Sequence, residues 1–382
     1  MLGDLLGALT GLALFDYLSF RMAMAVLTAF AVALVCGGPT IAWLRARQVH
    51  DNVNTSGSED LAAKSREEGK HETTTMGGSF LVAALLFSVL CWCDMTSLPV
   101  VLAVFLTAGF AAVGFVDDYR KLTIPRSGGL GRRAKMAGLT VCALSVLFAL
   151  VWYASSSGRD SLLTLYPPFF KDATLSALSL GWIGAVGFVL FQWFVIVGTA
   201  NAANITDGLD GLAAGTLLIA GGALVVFCYV TGRADWTAYL NLPFVPEAAD
   251  MAVVGAAMMG ACLGFLWFNA YPAKVFMGDS GSLPLGGLLA WMAVVAKQEL
   301  VLPLIASVLV LEAGSSFLQT FWYRRSGQRR LFTCAPIHHG LNLYGGVFKH
   351  REESWHEVTV VIRLWIVAAA SALTSLALLK VR

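Results

Sequence analysis

The sequence predicts an all-α, polytopic integral membrane protein with about ten transmembrane helices, and three observations carry that expectation. Of 382 residues, 57% are hydrophobic and only 13% charged, against about 25% charged in a soluble domain. Apolar runs of roughly 20 residues, the length that crosses a bilayer, recur from end to end. The 38 glycines supply small residues through which membrane helices approach closely. The balance of 26 Lys and Arg against 24 Asp and Glu excludes a nucleic-acid partner held by bulk charge. Seven cysteines (36, 91, 93, 142, 228, 262 and 334) fall mostly inside apolar runs without C-x-x-C spacing. They read as small core residues, not as disulfides or zinc ligands.

Residues 1–20 are interrupted by Asp4 and Asp16 and read as an interfacial helix. The spans follow at 22–44, 77–93, 99–116, 135–153, 181–199, 211–230, 251–270, 282–297, 300–323 and 358–379, all within one transmembrane domain, 1–382. If the loops 45–76, 117–135, 200–210, 271–281 and 324–357 share a side, that side holds 18 of the 26 basic residues and all six histidines. Basic loops stay in the cytoplasm, so both termini are expected to be periplasmic and any active site to lie at the cytoplasmic face.

Each cytoplasmic loop carries polar residues that hydropathy does not explain. The first ends in Lys70-His71-Glu72-Thr73-Thr74-Thr75-Met76-Gly77-Gly78; its threonines can cap the next helix, or join Lys70 around a phosphate at that helix N-terminus. Asp117 and Asp118 follow the third span, where the negative end of the helix dipole disfavours them. They suit either a solvated cluster with Arg120 and Lys121 or a site for a divalent metal or proton transfer. Asn201, Asn204, Asp207 and Asp210 recur every three residues, a spacing that a continuous helix would not keep on one face. Gly208 and Gly211 therefore predict a break there. Asp279, in Phe276-Met277-Gly278-Asp279-Ser280-Gly281, suits an N-cap or a metal ligand shared with the other aspartates. Glu312 lies inside the ninth span, where an acid marks a function or a structural pairing. His338 and His339 sit among arginines and suit phosphate contacts or a basic membrane surface.

Taken in order, these motifs resemble the polyprenyl-phosphate N-acetylhexosamine-1-phosphate transferases of the glycosyltransferase 4 family, and most closely their muramoyl-pentapeptide branch. The resemblance runs from Lys70–Gly78 through Phe115–Lys121, Asn201–Ala213, Phe276–Gly286, Glu312 and Pro336–His339 to Trp355, Glu357, Arg363 and Trp365. It implies an Mg²⁺-dependent enzyme of the bacterial cytoplasmic (inner) membrane, working in peptidoglycan synthesis. Such an enzyme moves phospho-N-acetylmuramoyl-pentapeptide from UDP-MurNAc-pentapeptide to undecaprenyl phosphate, a membrane lipid, and releases UMP. The resemblance makes Asp117, Asp118 and Asp279 catalytic, with Asp279 also the metal ligand. It puts Lys70, Thr75, Lys121, Lys135, Asn204, Asp207, Asp210, Phe276, His338 and His339 at the substrates, and implies a homodimer.

Three positions depart from the family pattern: Gly340 replaces a third histidine, Asn342 an acid, and Thr74 a proline. The competing readings are a GlcNAc-1-phosphate transferase of the same superfamily and a secondary transporter. A transporter predicts acids near the bilayer midplane and an internal repeat. Here the acids other than Glu312 gather at the cytoplasmic span ends, and no repeat is evident.

Overall fold

The computed structural model describes residues 2–47, 63–64, 73–124, 128–168, 170, 174–351 and 353–380. Lys70 lies outside them. The described chain is helical, in the order α1 (Leu2–Thr10), α2 (Leu18–Ala46), α3 (Gly78–Trp92), α4 (Leu98–Thr123), α5 (Arg132–Ser157), α6 (Gly181–Thr206), α7 (Leu212–Thr231), α8 (Ala234–Leu240), α9 (Ala248–Asn269), α10 (Asp279–Val295), α11 (Leu302–Ile305), α12 (Ser307–Arg325), α13 (Ile337–Tyr344) and α14 (Glu357–Ala377). One small antiparallel ribbon pairs β1 (Thr164–Leu165) with β2 (Leu175–Ser176).

Helix forms at every predicted span. By length and composition, α2, α4, α5, α6, α7, α9 and α14 are long and apolar enough to cross a membrane, which makes the chain a multi-pass membrane protein. The predicted ninth span is divided into α11 and α12 at Ala306, whose ψ of 39° leaves the helical region. The third span differs in the other direction. α4 runs on to Thr123, so Asp117 and Asp118 sit inside the helix, more than a turn before its end. The dipole argument against them therefore weakens, since that effect fades beyond the last turn.

The core is centred on α10, every residue of which is buried; it packs against α4, α6, α7, α3 and α9. α9 in turn lies against α2 and α7, and α14 closes the far side on α7. Glycine makes the tightest of these approaches possible. A Cβ on Gly78 would overlap the backbone of Gly281, and one on Gly114 the backbone of Asp279. With no hydrophobic drive between helices in lipid, such close packing contributes much of the association.

Contacts group the loops into two ends. Arg21 of α2 donates to the carbonyl of Trp92 at the end of α3 and pairs with Asp250 of α9 at 2.8 Å, fixing one end. At the other end meet the five loops that the Lys and Arg distribution groups together. Phe276 N donates to Thr74 O, Lys135 reaches Asn204, and Asp210 N donates to Glu357.

Candidate active site

The loop end of the bundle is organised by backbone before any side chain enters. Residues 74–78 and 274–277 run side by side: Phe276 N donates to Thr74 O (2.8 Å), Gly77 N to Phe276 O (2.9 Å) and Gly78 N to Met277 O (2.8 Å). Thr74 is buried, and its hydroxyl donates to Lys274 O. Its hydroxyl thus makes a bond that the family's usual proline could not make. The 206–212 break predicted from the glycines is present: α6 ends at Thr206 and α7 begins at Leu212. Asn269, at the end of α9, bridges the two loops, accepting from Gly211 N (3.0 Å) and donating to Val275 O (2.9 Å).

Three carboxylates converge on this frame. Oxygen atoms of Asp117, Asp118 and Asp279 all lie within 4.8 Å of one another, and all three residues are buried. Neighbours on a helix project about 100° apart, so Asp117 and Asp118 have different partners. Asp117 Oδ1 accepts from Leu130 N (2.7 Å). Asp118 accepts from Asp279 N (3.3 Å) and Ser280 N (3.0 Å), the first amides of α10. Unpaired N–H groups and the positive dipole end make that a favourable seat for a carboxylate. Gly278 permits the approach. Its φ of +70° suits glycine, and a Cβ there would stand 2.7 Å from Asp118 Oδ2.

Two lysines offset this charge. Lys121 Nζ lies 2.7 Å from Asp117, 3.5 Å from Asp118 and 3.2 Å from Asp279, being three and four residues along the same helix face as the first two. Lys135 Nζ lies 2.6 Å from Asp279 Oδ2 and donates to Asn204 Oδ1 (3.3 Å). Asn204 Nδ2 donates to Asp279 Oδ1 (2.6 Å) and to Ser282 Oγ (3.0 Å). The donor set is all oxygen, as a hard divalent cation requires. The Lys121 side chain is 40% exposed, so its ammonium has a route out to solvent.

The remaining predicted residues are dispersed around this centre. Thr75 borders Gly278, its hydroxyl within van der Waals contact of where a Cβ would lie. Asp207 accepts from Gly278 N (3.1 Å), next to Asp279. Asp210 is buried and accepts from Ala273 N (2.9 Å), so it braces the loop. Phe276 is half-buried, with its backbone in the paired strip. Asn201 turns away, donating to Val197 O. His338 is fully buried with its Nδ1 3.0 Å from Glu312, and His339 is half-buried beside it. Sequence reasoning assigned no role to Asn269, Ser280 or Ser282; a polar residue closing the apolar helix α9 was the one visible signal for the first.

A cavity of about 620 Å³ is lined among others by Arg132, Ile205, Phe317, Phe321, Arg324 and Arg325. Ile205 adjoins Asn204 and Arg132 lies one helical turn before Lys135. Phe317 and Phe321 thus share a trough with three guanidinium groups, and two of its lining residues neighbour the buried centre along the chain.

Residues 100–297 match glycosyl transferase family 4. The phospho-N-acetylmuramoyl-pentapeptide-transferases of Neisseria gonorrhoeae (strain NCCP11945) and Neisseria meningitidis serogroup C (strain 053442) are each 40% identical to the chain. Each alignment covers 98% of this chain and 97% of the relative. The matched stretch holds Asp117, Asp118, Lys121, Lys135, Asn204 and Asp279, the whole of the buried centre.

Proposed function

The chain belongs to glycosyl transferase family 4, and from that premise we propose that it transfers phospho-N-acetylmuramoyl-pentapeptide from UDP to undecaprenyl phosphate. The products are lipid I and UMP, and the site is a bacterial cytoplasmic membrane. The observation that carries the reading is the buried carboxylate cluster, bound by two lysines and an asparagine at the loop end of a membrane bundle. There a nucleotide-sugar from solution and a lipid phosphate from the bilayer can meet.

In the reaction an oxygen of the lipid phosphate forms a bond to the sugar-bearing phosphorus. The bond from that phosphorus to the bridging oxygen breaks, and UMP leaves with the electron pair. Phosphoryl transfer of this kind depends on positioning and charge neutralisation. Mg²⁺, when bound, supplies neutralisation of the diphosphate. Asp279 would hold it, with Asn204 fixing the carboxylate through Oδ1. Asp117, whose Oδ2 lies 2.7 Å from the part-exposed Lys121, takes the proton of the attacking phosphate or orients that phosphate. Asp118 positions α10. Lys121 and Lys135 exchange their carboxylate contacts for phosphate oxygens as substrates enter. Thr75, Asp207 and Phe276 flank the donor, with Asp210 bracing the loop beneath it and His339 completing the donor side; Lys70, outside the described residues, is assigned to the substrates by the family resemblance alone. The apolar trough takes the prenyl chain, with Arg132, Arg324 and Arg325 at its phosphate end. A single transferase domain, 1–382, acts as a homodimer in this reading.

The test is UMP release with undecaprenyl phosphate and each of UDP-MurNAc-pentapeptide and UDP-GlcNAc, with and without Mg²⁺. Turnover is expected with the muramoyl donor, only in the presence of Mg²⁺. Asp279→Ala is expected to abolish it while leaving the unfolding transition intact. Consumption of UDP-GlcNAc alone would sink the donor assignment, and near-normal turnover in Asp279→Ala would remove that residue from the metal.

A further inference from the structure

Glu312 is fully buried in α12 and carries no direct contact with the three-aspartate centre. An acid inside an apolar span is costly unless it is paired. Its partner is His338, at the start of α13 and also fully buried. A single oxygen, Oε2, lies 3.0 Å from the ring Nδ1 and accepts from the backbone N of the same residue at 3.3 Å. The main-chain N–H holds His338 to the carboxylate, and Nδ1 lies against the same oxygen without the alignment of a hydrogen bond. His339 stacks obliquely on its flank, centroids 4.1 Å apart.

The other edge of the ring meets the turn between α6 and α7. Neither ring nitrogen of His338 has a hydrogen-bond partner, and Nε2 points at Gly208: a Cβ on that glycine would overlap Nε2 and come within 3.2 Å of His339 Nε2. Gly208 follows Asp207, which accepts from Gly278 N beside Asp279. A continuous chain of contacts therefore runs from Glu312 through the imidazole to the turn, and from the turn to the residue before the metal ligand.

We propose that Glu312 and His338 are a positioning pair: the carboxylate holds His338 by its main-chain N–H and backs the ring at Nδ1, and the ring's Nε2 edge sets the height of the 207–211 turn against which the donor nucleotide-sugar seats. This rests on the transferase reading for its substrate and on the coordinates for its geometry. Groups that orient a ligand-bearing residue commonly cost 10–100-fold when removed. The His338 ring itself touches no substrate in this account, since Gly208 lies between.

The experiment uses the full-length protein in detergent micelles, with Glu312→Gln, His338→Gln, the double variant and Gly208→Ala. Each of the first three is expected to raise the KM for UDP-MurNAc-pentapeptide about tenfold, with the KM for undecaprenyl phosphate unchanged. The double variant should be no worse than the worse single, because the pair acts as one unit. Nitrogen NMR of ¹⁵N-histidine-labelled protein, with the His338 signal identified by its loss in His338→Gln, should show one His338 ring signal in the parent and a displaced or broadened one in Glu312→Gln. That arm needs no substrate, so it tests the pair even if the donor assignment fails. Gly208→Ala, which presses the turn against the Nε2 edge from the other side, should raise the donor KM and displace the His338 ring signal. It also keeps the test alive if Glu312→Gln does not fold. An unaltered His338 signal in Glu312→Gln, strictly additive losses, or an unchanged donor KM in Gly208→Ala overturns the pair. A lowered unfolding midpoint with normal kinetics in Glu312→Gln would reduce Glu312 to a cap for α13.

Discussion

Asp117 and Asp118 adjoin in sequence yet hold different parts of the molecule, one a loop amide at Leu130 and the other the first amides of α10. Removing the Asp118 carboxylate leaves two N–H groups at a buried helix start without their acceptor, a loss on the order of 1–3 kcal/mol. Asp118→Ala is therefore expected to lower the thermal unfolding midpoint more than Asp117→Ala, while both lose activity; equal midpoints would mean that Asp118 does not hold α10. That these aspartates belong to a site was legible, because nothing about helix ends explained them. Their division of labour was not, since Asp118's partners lie more than 160 residues away in sequence. Gly340 shows the same limit. A Cβ there meets Thr333 Oγ1 at 2.9 Å, and that hydroxyl is committed to Gly346 O, so the missing third histidine reflects a crowded corner that no local pattern reveals.

At the scale of elements, the apolar runs located a helix at each of the ten spans because membrane helices need little more than length and hydropathy, whereas the short α8 and α13, in the connections, carry no such signal. The break at 206–212 was legible from its two glycines. The overrun of α4 to Thr123 was not, because Asp117, Asp118, Arg120 and Lys121 end the apolar signal while the helix continues to satisfy its own backbone. The division at Ala306 carried no breaker at that residue. Close approach is the element property most open to test. Gly114→Ala would force the α4 side chain into the backbone of Asp279, and overpacking of this kind costs about 1–3 kcal/mol. We expect lower stability together with a loss of turnover, read by unfolding and by UMP release, whereas alanine at Gly187, with open space around it, should change neither.

For the whole molecule, the sorting of basic residues by side already indicated which end would carry chemistry, and the five grouped loops do meet there. The trough beneath Arg324 and Arg325 was invisible to the sequence, because α12, α6 and the start of α5 come together only in the fold. If that trough admits the lipid phosphate, replacing both arginines by glutamine should raise the KM for undecaprenyl phosphate and spare that for the nucleotide donor. A shift in the donor value alone would move the lipid elsewhere.

α10, sealed on all sides by its neighbours, has a further consequence. At 17 residues it rises about 26 Å, short of the ~30 Å hydrocarbon slab that a lipid-facing helix must match. No acyl chain touches it, so it escapes the mismatch that makes exposed helices tilt or thin the bilayer. Changes in lipid composition strain the outer ring of helices first. The residue that begins α10, Asp279, is insulated from them, as a bearing is by its housing.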